Sequence, residues 1–167
     1  MKTKIRTLDI VQIAIVAALY AVLTVAISPI AYGPIQFRIS EILVLLCFYN
    51  KKYCVSMTLG CLIANLFSPM ALLDVPFGTI ATVLAVLVIA HSKNLFLGSL
   101  AATVFNGIIV GIELYVAFKE PLLISMGTVA LGEFVVVSVA GVIIFKLLEK
   151  NSHFMRLIDD KKLSSAE

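Results

Sequence analysis

The chain has 167 residues, 61% of them hydrophobic and 14% charged, with a net charge of +3 and a mean hydropathy of +1.09. Soluble domains carry about 25% charged residues, so the composition excludes an ordinary soluble protein and describes a chain that lies in a lipid bilayer. Its 13 Lys and Arg residues are scattered among short loops and the tails rather than gathered on one polar face, which argues against nucleic acid as a partner.

A helix rises about 1.5 Å per residue and a hydrocarbon core is about 30 Å thick, so a span takes about 20 apolar residues. Six candidate stretches follow in chain order. The first runs from Leu8 to Ser28 and stops at Pro29, which cannot comfortably continue a helix. It follows Met1–Arg6 with no small-residue cleavage pattern and is read as a retained span, not a signal peptide. Next comes Tyr32–Glu41 (YGPIQFRISE), where a Gly-Pro turn, an Arg and a Glu interrupt the apolar sequence. The second stretch, Arg38 to Asn50, reaches only about 20 Å. It must therefore sit against other protein or share its crossing with Tyr32–Phe37, because exposed irregular backbone is not tolerated in lipid. After Lys51-Lys52 the third stretch runs from Tyr53 to Phe67, ahead of Ser68-Pro69. The fourth, Leu73 to Ala90, carries Asp74 and Pro76 in its first turn, where an acid suits the helix dipole and a proline costs little. The fifth spans Leu95 to Phe118 and the sixth Leu122 to Leu148, separated by Lys119-Glu120-Pro121. The expected fold is thus an all-α membrane protein with six transmembrane helices: residues 1–150 form a single transmembrane domain and 151–167 a polar, solvated cytoplasmic tail.

Cations set the expected orientation. With the N-terminus inside, the cytoplasmic segments hold Lys2, Lys4, Arg6, Lys51, Lys52, Lys93, Lys146, Lys150, Arg156, Lys161 and Lys162, and the outer side holds only Arg38 and Lys119. That is a strong positive-inside bias and places both termini in the cytoplasm.

Ionisable groups in a bilayer cost about 2.5 to 3.5 kcal/mol each on insertion scales, so they are rarely kept without a partner or a role. On this topology Arg38, Glu41, Asn65, Asp74 and Glu113 lie in the outer part of their helices, and Asn106 lies two turns below Glu113 on the same face. Glu133 sits near the midplane. The pattern describes a polar pocket opening outward over an apolar floor. Arg38 and Glu41, three apart, can instead be a local ion pair that merely neutralises itself, and Asp74 and Glu113 can be interfacial and wet. Glu133 is either protonated, paired with Arg38 or a ligand contact. Four acids around one Arg favour a ligand with hydrogen-bond donors or a positive charge over an anion such as phosphate.

Small residues form a second pattern. Ala14, Ala17, Ala18 and Ala21 make two overlapping four-residue spacings in the first helix, and Gly107 and Gly111 make one in the fifth. Such spacings let helices approach closely. For the alanines, packing inside the bundle and docking on another protein stay equally open, whereas the glycines favour internal packing. Cys47, Cys54 and Cys61 are odd in number and form no C-x-x-C, so they support neither a disulfide framework nor a metal site and read as small buried hydrophobes. No P-loop, H-E-x-x-H or G-x-S-x-G is present, so no catalytic activity and no cofactor are expected and any energy for transport comes from a gradient or a partner.

Tyr32–Glu41, Gly60–Leu66 (GCLIANL), Leu72–Thr82 (LLDVPFGTIAT), Phe105–Gly111 (FNGIIVG) and Gly132-Glu133 resemble the QueT family, the membrane substrate-binding subunits (S-components) of energy-coupling factor (ECF) transporters. The resemblance covers most of the chain from Leu8 to Leu148, and its first block is the most specific. It implies an S-component bundle that captures a queuosine precursor, a 7-deazaguanine, and docks on a transmembrane coupling protein and two ATPases. By that analogy Ala14 and Ala18 dock on the coupling protein, with Ala17 and Ala21 as the alternative register. A deazaguanine presents adjacent N–H donors that a carboxylate accepts in pairs, and an aminomethyl substituent adds a cation for a second acid. The expected substrate contacts are Gln36, Phe37, Arg38, Glu41, Asn65, Asp74, Phe77, Asn106, Glu113 and Glu133. Glu133 or Glu41 is expected on the guanine-like edge, Asn65 and Asn106 as amide contacts, and Phe37 or Phe77 as the stacking ring. The Gly33-Pro34 turn reads as the entrance to the site. The competing reading is a self-sufficient secondary transporter in which Glu133 carries a coupled proton. That architecture usually comes with repeat halves, and the first three stretches show no convincing similarity to the last three.

Overall fold

A computed structural model describes residues 6–31 and 37–158. Helix α1 (Thr7–Ala26) starts where the Arg6 backbone N–H donates to the Asp9 carboxylate at 3.1 Å, and a single turn, Ser28–Ala31, follows it. The next helix, α2 (Ile39–Tyr49), begins as a tight 3-10 run over Ile39–Leu45 and ends as one α turn, Leu46–Tyr49. Helices α3 (Tyr53–Leu66), α4 (Ala71–His91) and α5 (Leu95–Phe118) are regular. Helix α5 opens on an Asn94 cap, whose Oδ1 accepts from the Phe96 and Leu97 amides, and closes at Lys119 in the left-handed region. The last long helix, α6 (Leu122–Leu148), widens to π geometry over Phe134–Gly141. Because α4 begins at Ala71, two residues earlier than expected, Pro76 falls in its second turn.

Four of these helices, α1, α4, α5 and α6, are long and apolar enough to cross a membrane, and α2 and α3 are shorter apolar helices. Residues are distributed inside out relative to a soluble protein. Ile15, Val22, Leu97, Ile124 and Ile143 are exposed, while Thr24, Arg38, Glu41, Asn65, Asp74, Asn106, Glu113 and Glu133 are buried. In lipid the apolar exterior carries no hydrophobic penalty, so what holds the helices together is close packing and polar contact between them.

Around the bundle α1 packs on α3, α3 on α4, α4 on α5 and α5 on α6. Helix α2 touches α1, α3, α4 and the π segment of α6, so it bridges the two ends of this series. Its interior placement answers the length problem: Val44, Leu45 and Cys47 are fully buried, and the backbone of a helix too short to span meets protein rather than lipid. Small residues permit the crossings. A Cβ on Gly60 would lie 2.8 Å from the Ala17 carbonyl oxygen, and one on Gly111 would lie 2.7 Å from Met126 Cα. Ala17 and Ala21 are buried, whereas Ala14 and Ala18 face outward.

The stretch read as a solvated tail opens with helix α7 (Ser152–Ile158), which packs back on the bundle. Met155 and Ile158 are buried, and the Phe154 ring meets Phe145 edge-on at 6.3 Å. Side-chain amides of Gln12 and Asn50 donate to the Leu157 and Ile158 carbonyls at 3.1 and 3.2 Å, supplying donors to carbonyls that a helix end leaves unpaired. Polar composition concealed this: three apolar residues, Phe154, Met155 and Ile158, suffice to seat two turns.

Glycines 111 and 127 give a paired test of the packing. Gly111→Ala places a methyl against Met126 backbone atoms at 2.7 to 2.9 Å, whereas nothing lies within 4 Å of a Cβ on Gly127. Thermal unfolding in mild detergent is expected to show Gly111→Ala destabilised by about 1 to 3 kcal/mol and Gly127→Ala stabilised by about 0.5 to 1 kcal/mol through helix propensity. Equal effects at the two positions would contradict the close α5–α6 crossing.

Candidate functional site

Arg38, at the entry to α2, is the centre of a buried polar cluster. Its Nη2 donates to Asn65 Oδ1 at 3.2 Å and its Nε to the Ala31 carbonyl at 3.4 Å. The Asn65 amide nitrogen donates to the Asp74 carbonyl at 2.8 Å and to Cys61 Sγ at 3.3 Å, so one side chain ties α2, α3 and α4 together. Gly78 makes room for this: a Cβ there would sit 2.6 Å from Asn65 Nδ2 and 3.7 Å from Arg38 Nη1. The Asp74 carboxylate accepts from the Ser68 hydroxyl, which in turn accepts from the Met70 amide at 3.0 Å. Asp74 is thereby fixed at both its backbone and its side chain.

On the other side of Arg38, Glu41 Oε1 accepts from the Tyr20 hydroxyl of α1. One turn further along α1, Thr24 Oγ1 donates to the Tyr20 carbonyl at 2.9 Å and shares a 2.6 Å hydrogen bond with Ser40 Oγ, which fixes the start of α2 against α1. Glu133 lies at the last position before the π segment of α6. The wider turn lets Gly132, Glu133, Val136, Val137 and Gly141 all face inward, where Gly141 meets Leu45 of α2. The Glu133 carboxyl has Asn106 of α5 beside it and Glu41 and Arg38 within electrostatic reach. Glu113, two turns above Asn106, faces Asp74 across the α4–α5 contact.

The structure thus gathers Arg38, Glu41, Asn65, Asp74, Asn106, Glu113 and Glu133 into one buried group, with four carboxylates and a single guanidinium. Five atoms of this group are buried without a hydrogen-bond partner: Glu41 Oε2, both carboxylate oxygens of Glu113, Glu133 Oε2 and Asn106 Nδ2. Four of the five are acceptors. An unsatisfied buried polar group costs about 1 to 3 kcal/mol, more when charged, so the cluster is chemically incomplete and matches a guest rich in N–H donors. Among the described residues no group of three or more His, Cys, Asp or Glu side chains has the arrangement of a metal site.

Other expected residues fall as follows. Phe37 is half-buried against the main core, and Phe77 is half-buried one turn after Asp74. Gln36 and the Gly33-Pro34 turn lie outside the described residues. Asn65, expected as a ligand contact, has its amide engaged in holding Arg38 and Asp74. Cys47 and Cys61 are buried free thiols as expected of small hydrophobes, Cys54 is half-buried, and Cys61 also accepts from Thr82 at 3.2 Å. Sequence reasoning passed over Tyr20, Thr24, Ser40, Ser68 and Gly78. A signal existed for the first two: they are spaced by four in α1 on the face of Ala17 and Ala21, where a hydroxyl in an apolar helix marks an inward side.

Residues 10–150 match the family described as QueT transporter. The chain is also 40% identical over 160 residues to the queuosine precursor transporter QueT of Lactococcus lactis subsp. cremoris (strain MG1363), an alignment that covers 86% of this chain and 94% of that protein. No solved structure matches the chain. Both relationships are to transporters, and with the apolar helices they make this a multi-pass membrane protein of transport, not an enzyme.

Asn65→Ala removes an acceptor from Arg38 and a donor from the Asp74 carbonyl at once. Thermal unfolding of the purified protein is expected to show a loss of at least about 1.5 to 3 kcal/mol, the range for a hydrogen bond to a charged group. A variant as stable as the wild type would remove Asn65 from its role as the tie between three helices.

Proposed function

This chain belongs to the QueT transporter family, and from that premise we propose that it is the substrate-capture subunit of an ECF-type importer for a queuosine precursor. The relative's name supplies the substrate class, and one observation in this chain carries the reading: the partnerless acceptor atoms buried around Arg38. A 7-deazaguanine brings a ring N–H and an exocyclic amine side by side, a donor pair that one carboxylate accepts in parallel. Glu133 or Glu41 takes that edge, and Asn106, with a free amide N–H beside Glu133, donates to the ring's acceptor. Phe37 or Phe77 stacks on the base, Gln36 belongs to the same rim, and Arg38 keeps the acids tolerable in lipid.

Six membrane crossings with both termini in the cytoplasm fit the alternation of the helices. Arg6, Lys51, Lys52, Lys93, Lys146, Lys150 and Arg156 then share one end of the bundle and Arg38 and Lys119 the other. The site opens on the outer side. Energy for release comes from two ATPases acting through a transmembrane coupling protein, since the sequence holds no P-loop. Helix α1 offers that protein an exposed small-residue face at Ala14 and Ala18, while Ala17 and Ala21 are engaged within the bundle.

Three measurements test the reading. A 7-deazaguanine is expected to raise the unfolding temperature of the purified chain, and Glu133→Gln to weaken its binding by about tenfold or more with the fold retained. Absence of stabilisation by any deazaguanine would reject the substrate. In liposomes, Ala18→Trp is expected to spare binding and abolish uptake by the complete transporter, and the chain alone is expected to give no uptake. Uptake without ATPases would favour the self-sufficient proton-coupled carrier instead.

A further inference from the structure

We infer that Glu113, backed by Asp74, forms a second subsite that takes a primary ammonium group of the ligand, separate from the Glu41, Asn106 and Glu133 end of the cluster. This assignment rests on the deazaguanine reading above and specifies which acid answers a charged substituent.

Glu113 is fully buried in α5, and neither of its carboxylate oxygens has a hydrogen-bond partner. Its nearest ionisable neighbour is Asp74, another acid, which is itself pinned by Ser68 and by the Asn65 contact to its carbonyl. Two carboxyls in one desolvated place are mutually repulsive unless a proton or a cation lies between them. In the empty bundle a proton on one of the two acids relieves that repulsion, and a cationic guest takes its place. A divalent metal would call for more ligands than two acids, and no third His, Cys, Asp or Glu joins the pair as a metal site among the described residues. An ammonium group carries three donors and no acceptor. Two of them satisfy the Glu113 oxygens and the third turns to the Asp74 carboxylate, so charge and hydrogen bonding are matched together.

The spacing suits a single guest. Glu113 and Asn106 are seven residues apart on one face of α5, about 10 Å along the axis. That is the reach of a bicyclic base hydrogen-bonded at one edge and extending a short amine-bearing arm from the other. The Glu133 end reads the base and the Glu113 end reads the arm. Glu113 is therefore the specificity-determining residue for a cationic arm over a neutral one.

The test compares three probes by titration calorimetry on the purified chain in detergent: 7-deazaguanine with an aminomethyl group at C7, the same base with a nitrile at C7, and the unsubstituted base. The wild type is expected to bind the amine about tenfold or more tighter than the nitrile. In Glu113→Gln that ratio is expected to fall to near unity, and Asp74→Asn is expected to reduce it in the same direction. Measurable nitrile binding by each variant certifies its fold. A wild type with no amine preference, or a Glu113→Gln variant that weakens all three probes by the same factor, overturns the assignment. If no probe binds the wild type, the deazaguanine reading itself falls, and the subsite with it.

Discussion

A guanidinium buried within an apolar bundle constrains everything near it. Arg38 cannot be stripped of its proton at any accessible pH, and left unpaired it would cost several kcal/mol in a low-dielectric interior. The helices therefore bring oxygen to it from several directions. Ala31 and Asn65 supply direct acceptors, and the carboxylates of Glu41 and Asp74 supply compensating charge. The position of α2 between α1 and α6 is inseparable from this arrangement, because the helix that Arg38 opens and that carries Glu41 is too short to face lipid on its own.

Small side chains make the arrangement sterically possible. Gly78 lets Asn65 and Arg38 press against α4, and Gly60 lets α3 approach α1 where Tyr20 must reach Glu41. Both glycines determine where the buried polar groups stand. The π segment after Glu133 acts in the same sense, since a regular helix would rotate part of the run Gly132–Gly141 away from α2. At the opposite end of the bundle, Lys52 donates to Asp9 and Gln12 at 3.0 and 2.7 Å, and α7 closes over α1 and α2. The partnerless acids lie elsewhere in the bundle.

Much of this architecture is legible in the sequence because lipid imposes simple rules. Long apolar runs broken by Pro29, Lys51-Lys52, Pro69 and Lys119-Glu120-Pro121 place the helices within a few residues of where they are found, and the scarcity of charge makes each interior acid conspicuous. The wide and tight helical segments, at 134–141 and 39–45, leave no mark in an apolar run, because backbone geometry there answers to neighbours across the bundle. Which of two alanine registers faces inward is marked in the sequence only by the Tyr20 and Thr24 hydroxyls on the face of Ala17 and Ala21, and the packing of Gly60 against Ala17 agrees with that mark. Side-chain assignments within the site needed the structure most. Asn65 and Asn106 look alike in sequence, yet one amide is engaged on three helices and the other keeps an unpaired N–H.

That last contrast divides the site by physical state. Arg38, Asn65, Asp74, Tyr20 and Gly78 belong to a scaffold whose hydrogen bonds are made, so changing them is felt first in stability. Glu41 Oε2, Glu113, Glu133 and the Asn106 amide remain unsatisfied, which costs folding energy as long as nothing answers them. A bundle that keeps such groups buried gives up stability that a donor-rich guest restores on entering, and this difference is a source of binding affinity. The same logic explains why one arginine is retained among four acids. A second fixed cation would satisfy the carboxylates from within, and the site would have nothing left to offer a ligand.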